Sequence, residues 1–469
     1  MTPIRLLCCL TLAGLTASAP AEFRAGAAKT IITPPDGVNM AGYYNVRGST
    51  GILDDIHSHA LVLDDGTTRV ALVSLDLIGS PRELVEKVRA EVEKAGILAG
   101  ANVMVSATHA HTGPVPGNSL RTPEAPDGGP PAPDSIHGKY LATLPGTIAA
   151  SISQAAAKLS PVSISGVSGE CTDLAFCRRF YMRDGTVGWN PGKLNPNAMT
   201  PTGPTDPQVQ AIFFEPPHKS GTLVPAMAVY ANFSMHPDTV GGTKISADYP
   251  GVLGRLLAAY HGPECITVYG NGTCGNLNHV DTSWERRQGG IDEANRIGTL
   301  LTASLFRAEK TQRLISPGIV RVKSVTVPLN VPAVSPEQAE MARETIRKSA
   351  AGVVPSFMQL VRANRLLDLA PREGQPIPAE VQVITLGQDV AWVGLPGEVF
   401  VELGLALKKR SPFRHTIITT LTNGNWGYLP DRRSYAEGAY EAESSRVEPG
   451  SGEKLIDAAA DLLKELYGK

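Results

Sequence analysis

Apolar positions along the chain fall into short runs separated by turn residues, with helical spacing in some of the intervals between them. Ala60–Leu63 and Val70–Leu75 flank Asp65-Gly66, the pattern of a β-hairpin. Ser80-Pro81-Arg82-Glu83 follows, where Ser80 can cap a helix, Pro81 suits its first position and Glu83 completes a capping box. Leu84, Val85, Val88 and Val92 recur at helical spacing and Gly96 ends that helix. Val103–Ala107 is then a short strand, so the segment predicts a βαβ unit and a sheet that is parallel in part.

The same reading continues downstream. A helix is expected around Tyr140–Leu159, a strand over Val224–Phe233, a helix over Gly251–Tyr260 and a strand over Ile266–Tyr269. Residues 319–330 read as a strand, and Pro336–Ala350 and Pro355–Leu369 as helices. Val381–Leu386 and Val390–Val393 pair around Gly387-Gln388-Asp389. Glu398–Arg410 and Lys454–Tyr467 are expected helices, with a strand at Thr416–Leu421 between them. The predicted class is α/β: a mixed sheet with βαβ units and helices packed on it.

Composition narrows the function. Of 469 residues, 43 are Lys or Arg and 45 are Asp or Glu, a net charge of −2. That balance argues against a nucleic-acid partner. Hydrophobic residues at 42% and charged residues at 19% suit a folded globular chain rather than a disordered one. Residues 1–21 read as a signal peptide: Arg5, the apolar run Leu6–Leu15, then small residues at Ala17 and Ala19. No other apolar run reaches membrane-spanning length, so a secreted or periplasmic protein is expected. Beyond that segment lie Cys171, Cys177, Cys265 and Cys274. An oxidising compartment favours disulfides, with Cys171–Cys177 and Cys265–Cys274 the simplest pairing, against four reduced buried thiols.

Candidate chemistry sits at strand ends, where α/β sheets place ligands. Thr108-His109-Ala110-His111-Thr112-Gly113-Pro114 puts two imidazoles two residues apart, on the same side of an extended segment. Such a pair can bind one cation, or bind and transfer protons, though hydrogen-bonded structural histidines give the same pattern. The Pro114–Pro133 stretch after it is expected to be an ordered wall or lid. His236 follows another apolar strand, where a histidine is more often a satisfied core or turn residue than a metal ligand. Glu398, in Pro396-Gly397-Glu398, lies where a loop enters a helix, which the helix dipole alone would favour. Tyr428, in Trp426-Gly427-Tyr428, is a loop tyrosine that surface packing would explain.

Taken in order, these motifs resemble the neutral/alkaline (non-lysosomal) ceramidase family. They are His-x-His-Thr-Gly-Pro, an apolar strand then His, Pro-Gly-Glu, and Gly-Tyr with a second Tyr twelve residues on, spread over residues 24–445. The resemblance implies one Zn2+ held by His109, His236, Glu398 and Tyr428. It implies His111 as the proton-transfer histidine, Tyr440 as a second active-site tyrosine and Arg178 as the family's arginine. It also implies one catalytic domain over residues 22–469 that hydrolyses N-acylsphingosine to fatty acid and sphingoid base. The substrate partner would be a small lipid or amide, with peripheral contact to a membrane. Rival readings are a zinc hydrolase of the same fold acting on another amide or ester, and an exported binding protein without catalysis.

Two departures from the family pattern weaken the substrate more than the metal. The family's Gly-Asp-Val-Ser-Pro-Asn turn reads Gly275-Asn276-Leu277-Asn278-His279 here, with His279 expected to be a solvated loop residue. Only a short, mostly helical stretch follows Tyr440, where the well-known members carry an immunoglobulin-like β domain.

Overall fold

The computed structural model describes residues 22–44, 46–117, 121, 125–218, 224–350 and 355–468. The expected signal segment, 1–21, lies outside the described residues, as do 118–120 and 122–124 of the proline-rich stretch.

Three βαβ units set the architecture. The first runs from strand Arg69–Leu75 through helix Arg82–Lys94 to strand Val103–Ala107. The second joins Ala228–Phe233 to Ile266–Asn271 through helix Asp248–His261, and the third joins Val390–Gly394 to His415–Thr419 through helix Val401–Arg410. In each unit the two strands pair in parallel. Antiparallel strands extend each pair outward: His57–Asp64 and Arg24–Ile31 in the first sheet, Gln208–Glu215 and Ser163–Glu170 in the second, Ile377–Leu386 and Val320–Leu329 in the third. The mixed α/β class read from the sequence is the one observed.

Burial explains how the sheets assemble. Strands covered on both faces need apolar residues at nearly every position, and Val103–Ala107, Ala228–Phe233 and Val390–Gly394 are buried throughout. One core cluster joins all three sheets, with Leu61 and Leu72 from the first, Phe214, Tyr230 and Val268 from the second, and Ile384, Trp392 and Ile417 from the third. The outer face of each sheet carries helices. Arg82–Lys94 and Ile136–Ala157 cover the first, Asp248–His261 and Ile291–Ala308 the second, and Val401–Arg410 and Ser451–Tyr467 the third. Among the described residues no helix is long and apolar enough to cross a membrane.

Polar bonds tie the sheets together where their parallel strands end. The Ser74 hydroxyl donates to the Tyr269 carbonyl at 2.6 Å, Thr420 N–H donates to Asn271 O at 2.8 Å, and Asn423 N–H donates to Val105 O at 2.8 Å. Each bond crosses from one sheet to another, so the carboxyl ends of all three units meet at one place.

Several local expectations fail. Ser80 does not cap the first helix; its hydroxyl donates to Leu421 O at 2.5 Å, and the cap position is Pro81. A tie between sheets has taken the hydroxyl that the capping box would use. Glu398 is not at a helix start, because Glu398-Val399 is a short strand paired with Tyr428-Leu429 and the helix begins at Val401. The four described cysteines are free and buried, against the expected disulfides. The Cys177 thiol instead donates to Arg179 O, and Cys274 Sγ accepts from Asn271 Nδ2. His279 is 5% exposed rather than solvated.

Candidate active site

His109, His236 and Glu398 meet where the three units converge, one from each sheet. The strand Val103–Ala107 delivers His109, which takes a left-handed backbone (φ 75°) rather than the extended one expected. Its N–H donates to Leu77 O at 2.9 Å, and the N–H of His111 donates to Pro237 O at 3.3 Å. A turn, not strand alternation, brings the two imidazoles together: their Nε2 atoms stand 3.3 Å apart.

Backbone carbonyls fix the ligand atoms. His109 Nδ1 lies 2.6 Å from Ile78 O, and His236 Nδ1 lies 2.7 Å from Cys274 O and 2.9 Å from Leu277 O. A carbonyl only accepts, so each Nδ1 carries the proton and, in the neutral ring, each Nε2 presents a lone pair. Both Nε2 atoms point at one carboxylate oxygen, Glu398 Oε2, at 3.3 and 3.1 Å. Burial pushes the His236 pKa down, with the nearby Arg178 charge adding to that effect. Burial alone would raise Glu398, but a proton on the Nε2 of His109 or His236 would hold it well below the usual carboxylate range. Lone pairs converging on a carboxylate repel unless a cation sits among them, so this donor set fits a metal such as zinc.

Glu398 reaches this point because Gly397 lets two segments close up. Its φ is +142°, and a Cβ there would stand 2.7 Å from Gly427 O. Glu398 N–H donates to that carbonyl at 2.9 Å, which sets Tyr428 beside the carboxylate. The Tyr428 hydroxyl accepts from Arg178 Nη2 at 3.0 Å. Burial and the Glu398 charge raise the Tyr428 pKa well above 10, while Arg178 opposes them.

Arg178 also donates to Gly275 O at 2.8 Å and from Nε to Glu441 Oε1 at 2.8 Å. Glu441 is fully buried and takes Arg179 through its other oxygen at 3.1 Å. Glu441 carried no signal in the sequence, since it lies 263 residues from Arg178. Tyr440 packs against Tyr428 and Trp189, with ring centroids 5.4 and 4.4 Å away. Trp189 stacks on Phe357 at 5.3 Å, so one wall of the site is aromatic.

His111 is half-buried, and burial followed by the neighbouring His109 lowers its pKa to about 3. Its ring nitrogen and those of His109 and His236 lie within 4.8 Å of one another, so His111 could also reach a metal. Behind it, His279 Nδ1–H donates to Asp238 at 3.0 Å and Nε2 lies 3.1 Å from Gln288 O. With a proton on both nitrogens that ring is an imidazolium, in line with a pKa that Asp238 raises against the cost of burial.

The residues that departed from the family pattern are structural here. Asn276 Oδ1 accepts from Val401 N–H at 3.0 Å and its Nδ2 donates to Glu402 at 2.9 Å. Asn278 Nδ2 donates to Asn190 at 2.9 Å. In the proline-rich stretch, Val115 N–H bonds to Asn39 O, Arg121 pairs with Asp368 and Asp127 pairs with Arg343.

Residues 23–184 match the family model described as neutral/alkaline non-lysosomal ceramidase, N-terminal. Two solved structures are similar in fold. One is neutral ceramidase from Pseudomonas aeruginosa, 20% identical with a TM-score of 0.69, covering 95% of this chain and 75% of that one. The other is a ceramidase complexed with C2, 18% identical with a TM-score of 0.69, covering 95% of this chain and 76% of that one. No curated protein matches the chain. The resemblance carried by the motifs is therefore present in both the N-terminal sequence and the fold.

Proposed function

We propose that the protein is an exported, zinc-dependent amide hydrolase of the neutral ceramidase type, converting N-acylsphingosine and water to fatty acid and sphingoid base. The observation that carries this reading is the convergence of two carbonyl-locked imidazoles on one oxygen of Glu398. His109, His236 and Glu398 would hold the zinc, with Tyr428 as a fourth donor. Zinc bound there supplies a Lewis acid and lowers the pKa of water toward ~7.

The remaining steps belong to the chain's own side chains. His111 Nε2 is neutral, because burial holds its pKa near 3. It accepts a proton from the attacking water as the new C–O bond forms. The protonated ring then gives that proton to the departing amine as the C–N bond breaks. The Tyr440 hydroxyl donates to the oxyanion that develops on the acyl carbon. Arg178 holds Tyr428 in place through its 3.0 Å bond to the phenol oxygen. The aromatic wall of Trp189, Phe357 and Tyr440 suits an apolar chain.

A second reading keeps the chemistry and changes the substrate to another amide or an ester. The engagement of Asn276 and Asn278 within the fold favours it, since those side chains are not free to contact a headgroup. Residues 22–469 would then still act as one catalytic domain in a secreted or periplasmic protein. Zinc-loaded protein assayed against ceramides, other N-acyl compounds and esters separates the readings. Fatty-acid release from N-acylsphingosine is the expected result. Turnover confined to other substrates supports the second reading, and no turnover of any amide or ester overturns both.

A further inference from the structure

A second cluster of ligand-type side chains lies outside the site described above. His57 and His59 are two apart on the strand His57–Asp64 and so share a face. That strand pairs antiparallel with Arg69–Leu75 in a register that sets Ser58 opposite Leu75. One step further along the ladder, Asp76 stands opposite His57, and Asp76 N–H donates to His57 O at 3.0 Å. Strand pleat and register alone therefore place His57, His59 and Asp76 on one face. The same face carries Leu61 and Leu63 into the core shared by the three sheets.

The three side chains offer ligand atoms within 4.8 Å of one another. They open on a cavity of about 570 Å³ between the first sheet and helix Asp248–His261, with Arg255, Thr267 and Tyr269 on its far side. Asp76 Oδ2 accepts the His57 backbone N–H at 2.9 Å and contacts His59 Nε2 at 3.1 Å. A proton shared between these two atoms satisfies them, and a cation would replace it, with His59 Nε2 and Asp76 Oδ2 as adjacent donors. The other nitrogen of that ring, Nδ1, is buried and has no hydrogen-bond partner. Burial lowers the His57 pKa to about 4, so that ring is neutral near pH 7.

We infer that His57, His59 and Asp76 form a second divalent transition-metal site, separate from the one at His109 and Glu398. Two imidazoles and a carboxylate select a borderline cation such as Zn2+, Co2+ or Ni2+ over Ca2+ or Mg2+, which prefer all-oxygen shells. The cavity leaves the remaining coordination positions to water or an added ligand. Lys29, opposite His59 in the next strand, opposes a cation by its charge, but it is exposed and its ammonium can stay in water.

The placement links the two sites. Asp76 begins the segment Asp76-Leu77-Ile78. Leu77 O takes the backbone N–H of His109, and Ile78 O takes its Nδ1–H. A cation on Asp76 would anchor the segment that aims the His109 ring.

Metal-stripped protein titrated with Co2+, with bound metal counted by mass spectrometry after dialysis, tests the inference. The double variant His57→Ala/His59→Ala should bind one equivalent fewer than the unaltered protein. The double variant His109→Ala/His236→Ala reports the other site separately, so failure of either assignment is distinguishable. Equal stoichiometry in the His57/His59 variant and the unaltered protein overturns the proposal. Should that variant not fold, crystals of unaltered protein grown with stoichiometric Zn2+ decide it. An anomalous peak at His57, His59 and Asp76 supports the site, and its absence there removes it.

Discussion

His109 holds its ring on a left-handed backbone, which costs a non-glycine residue about 1–2 kcal/mol. The bonds from its N–H to Leu77 O and from Nδ1 to Ile78 O offset that cost and leave Nε2 facing Glu398. His111 has no carbonyl on its ring, and its Nε2 looks at His109 Nε2 across 3.3 Å. The two histidines should therefore separate by variant. His109→Ala should lose the metal, whereas His111→Ala should keep it and lose about 10²–10⁴-fold in kcat with KM little changed. Metal content and steady-state kinetics on both variants check this, and loss of metal from His111→Ala would make that residue a ligand instead. The histidine pair was visible in the sequence because His-x-His stands at a strand end, yet its geometry was not. Whether a strand continues or turns depends on carbonyls about thirty residues upstream, as Leu77 and Ile78 show.

At the scale of elements, the turn Gly275–Asn278 shows how one substitution is tied to its neighbours. Asn276 caps the helix Val401–Arg410 through the Val401 N–H and donates to Glu402 at 2.9 Å. Burial, the largest influence, already raises the Glu402 pKa. An aspartate at 276 would keep the cap, which is a good N-terminal residue. It would also set a second carboxylate against Glu402 in a place with little water. Asn276→Asp should therefore destabilise the protein by about 1–3 kcal/mol at neutral pH, and Asn276→Asp/Glu402→Gln should recover most of it. Urea unfolding of both variants measures this, and an unchanged midpoint for Asn276→Asp would refute the account. The helix itself was legible from its apolar spacing, but its start was misplaced by three residues. Glu398 and Val399 pair with Tyr428 and Leu429, a contact between segments far apart in sequence. Likewise Ser80 was a sound cap by local rules until Leu421 O claimed its hydroxyl.

For the whole molecule, the strand–helix–strand order of all three units could be read from turn residues and apolar runs. Their convergence could not, because the ties Ser74–Tyr269 and Asn423–Val105 join parts separated by hundreds of residues. His415 marks another such seam. It opens the strand His415–Thr419 of the third sheet, and its Nε2 lies 2.9 Å from where a Cβ on Gly166 of the second sheet would stand. Both of its ring nitrogens are buried without a partner, and burial lowers its pKa below 6.5. The sign of the effect on stability follows. Below pH 6.5 the unfolded chain takes a proton at this ring, while the folded chain does not until its lower pKa is reached. The unfolded state therefore binds more protons in that window, and folding stability falls as pH falls. One such group contributes a slope of up to about 1.4 kcal/mol per pH unit. Replacing it by a neutral group of similar size, His415→Leu, should leave the seam packed and remove that share of the slope. Urea unfolding of metal-free protein at pH 7 and pH 5 should show a smaller loss of stability on acidification in the variant than in the unaltered chain. Equal losses would mean that His415 is protonated at the seam and that the contact between the two sheets is wetter than its burial indicates.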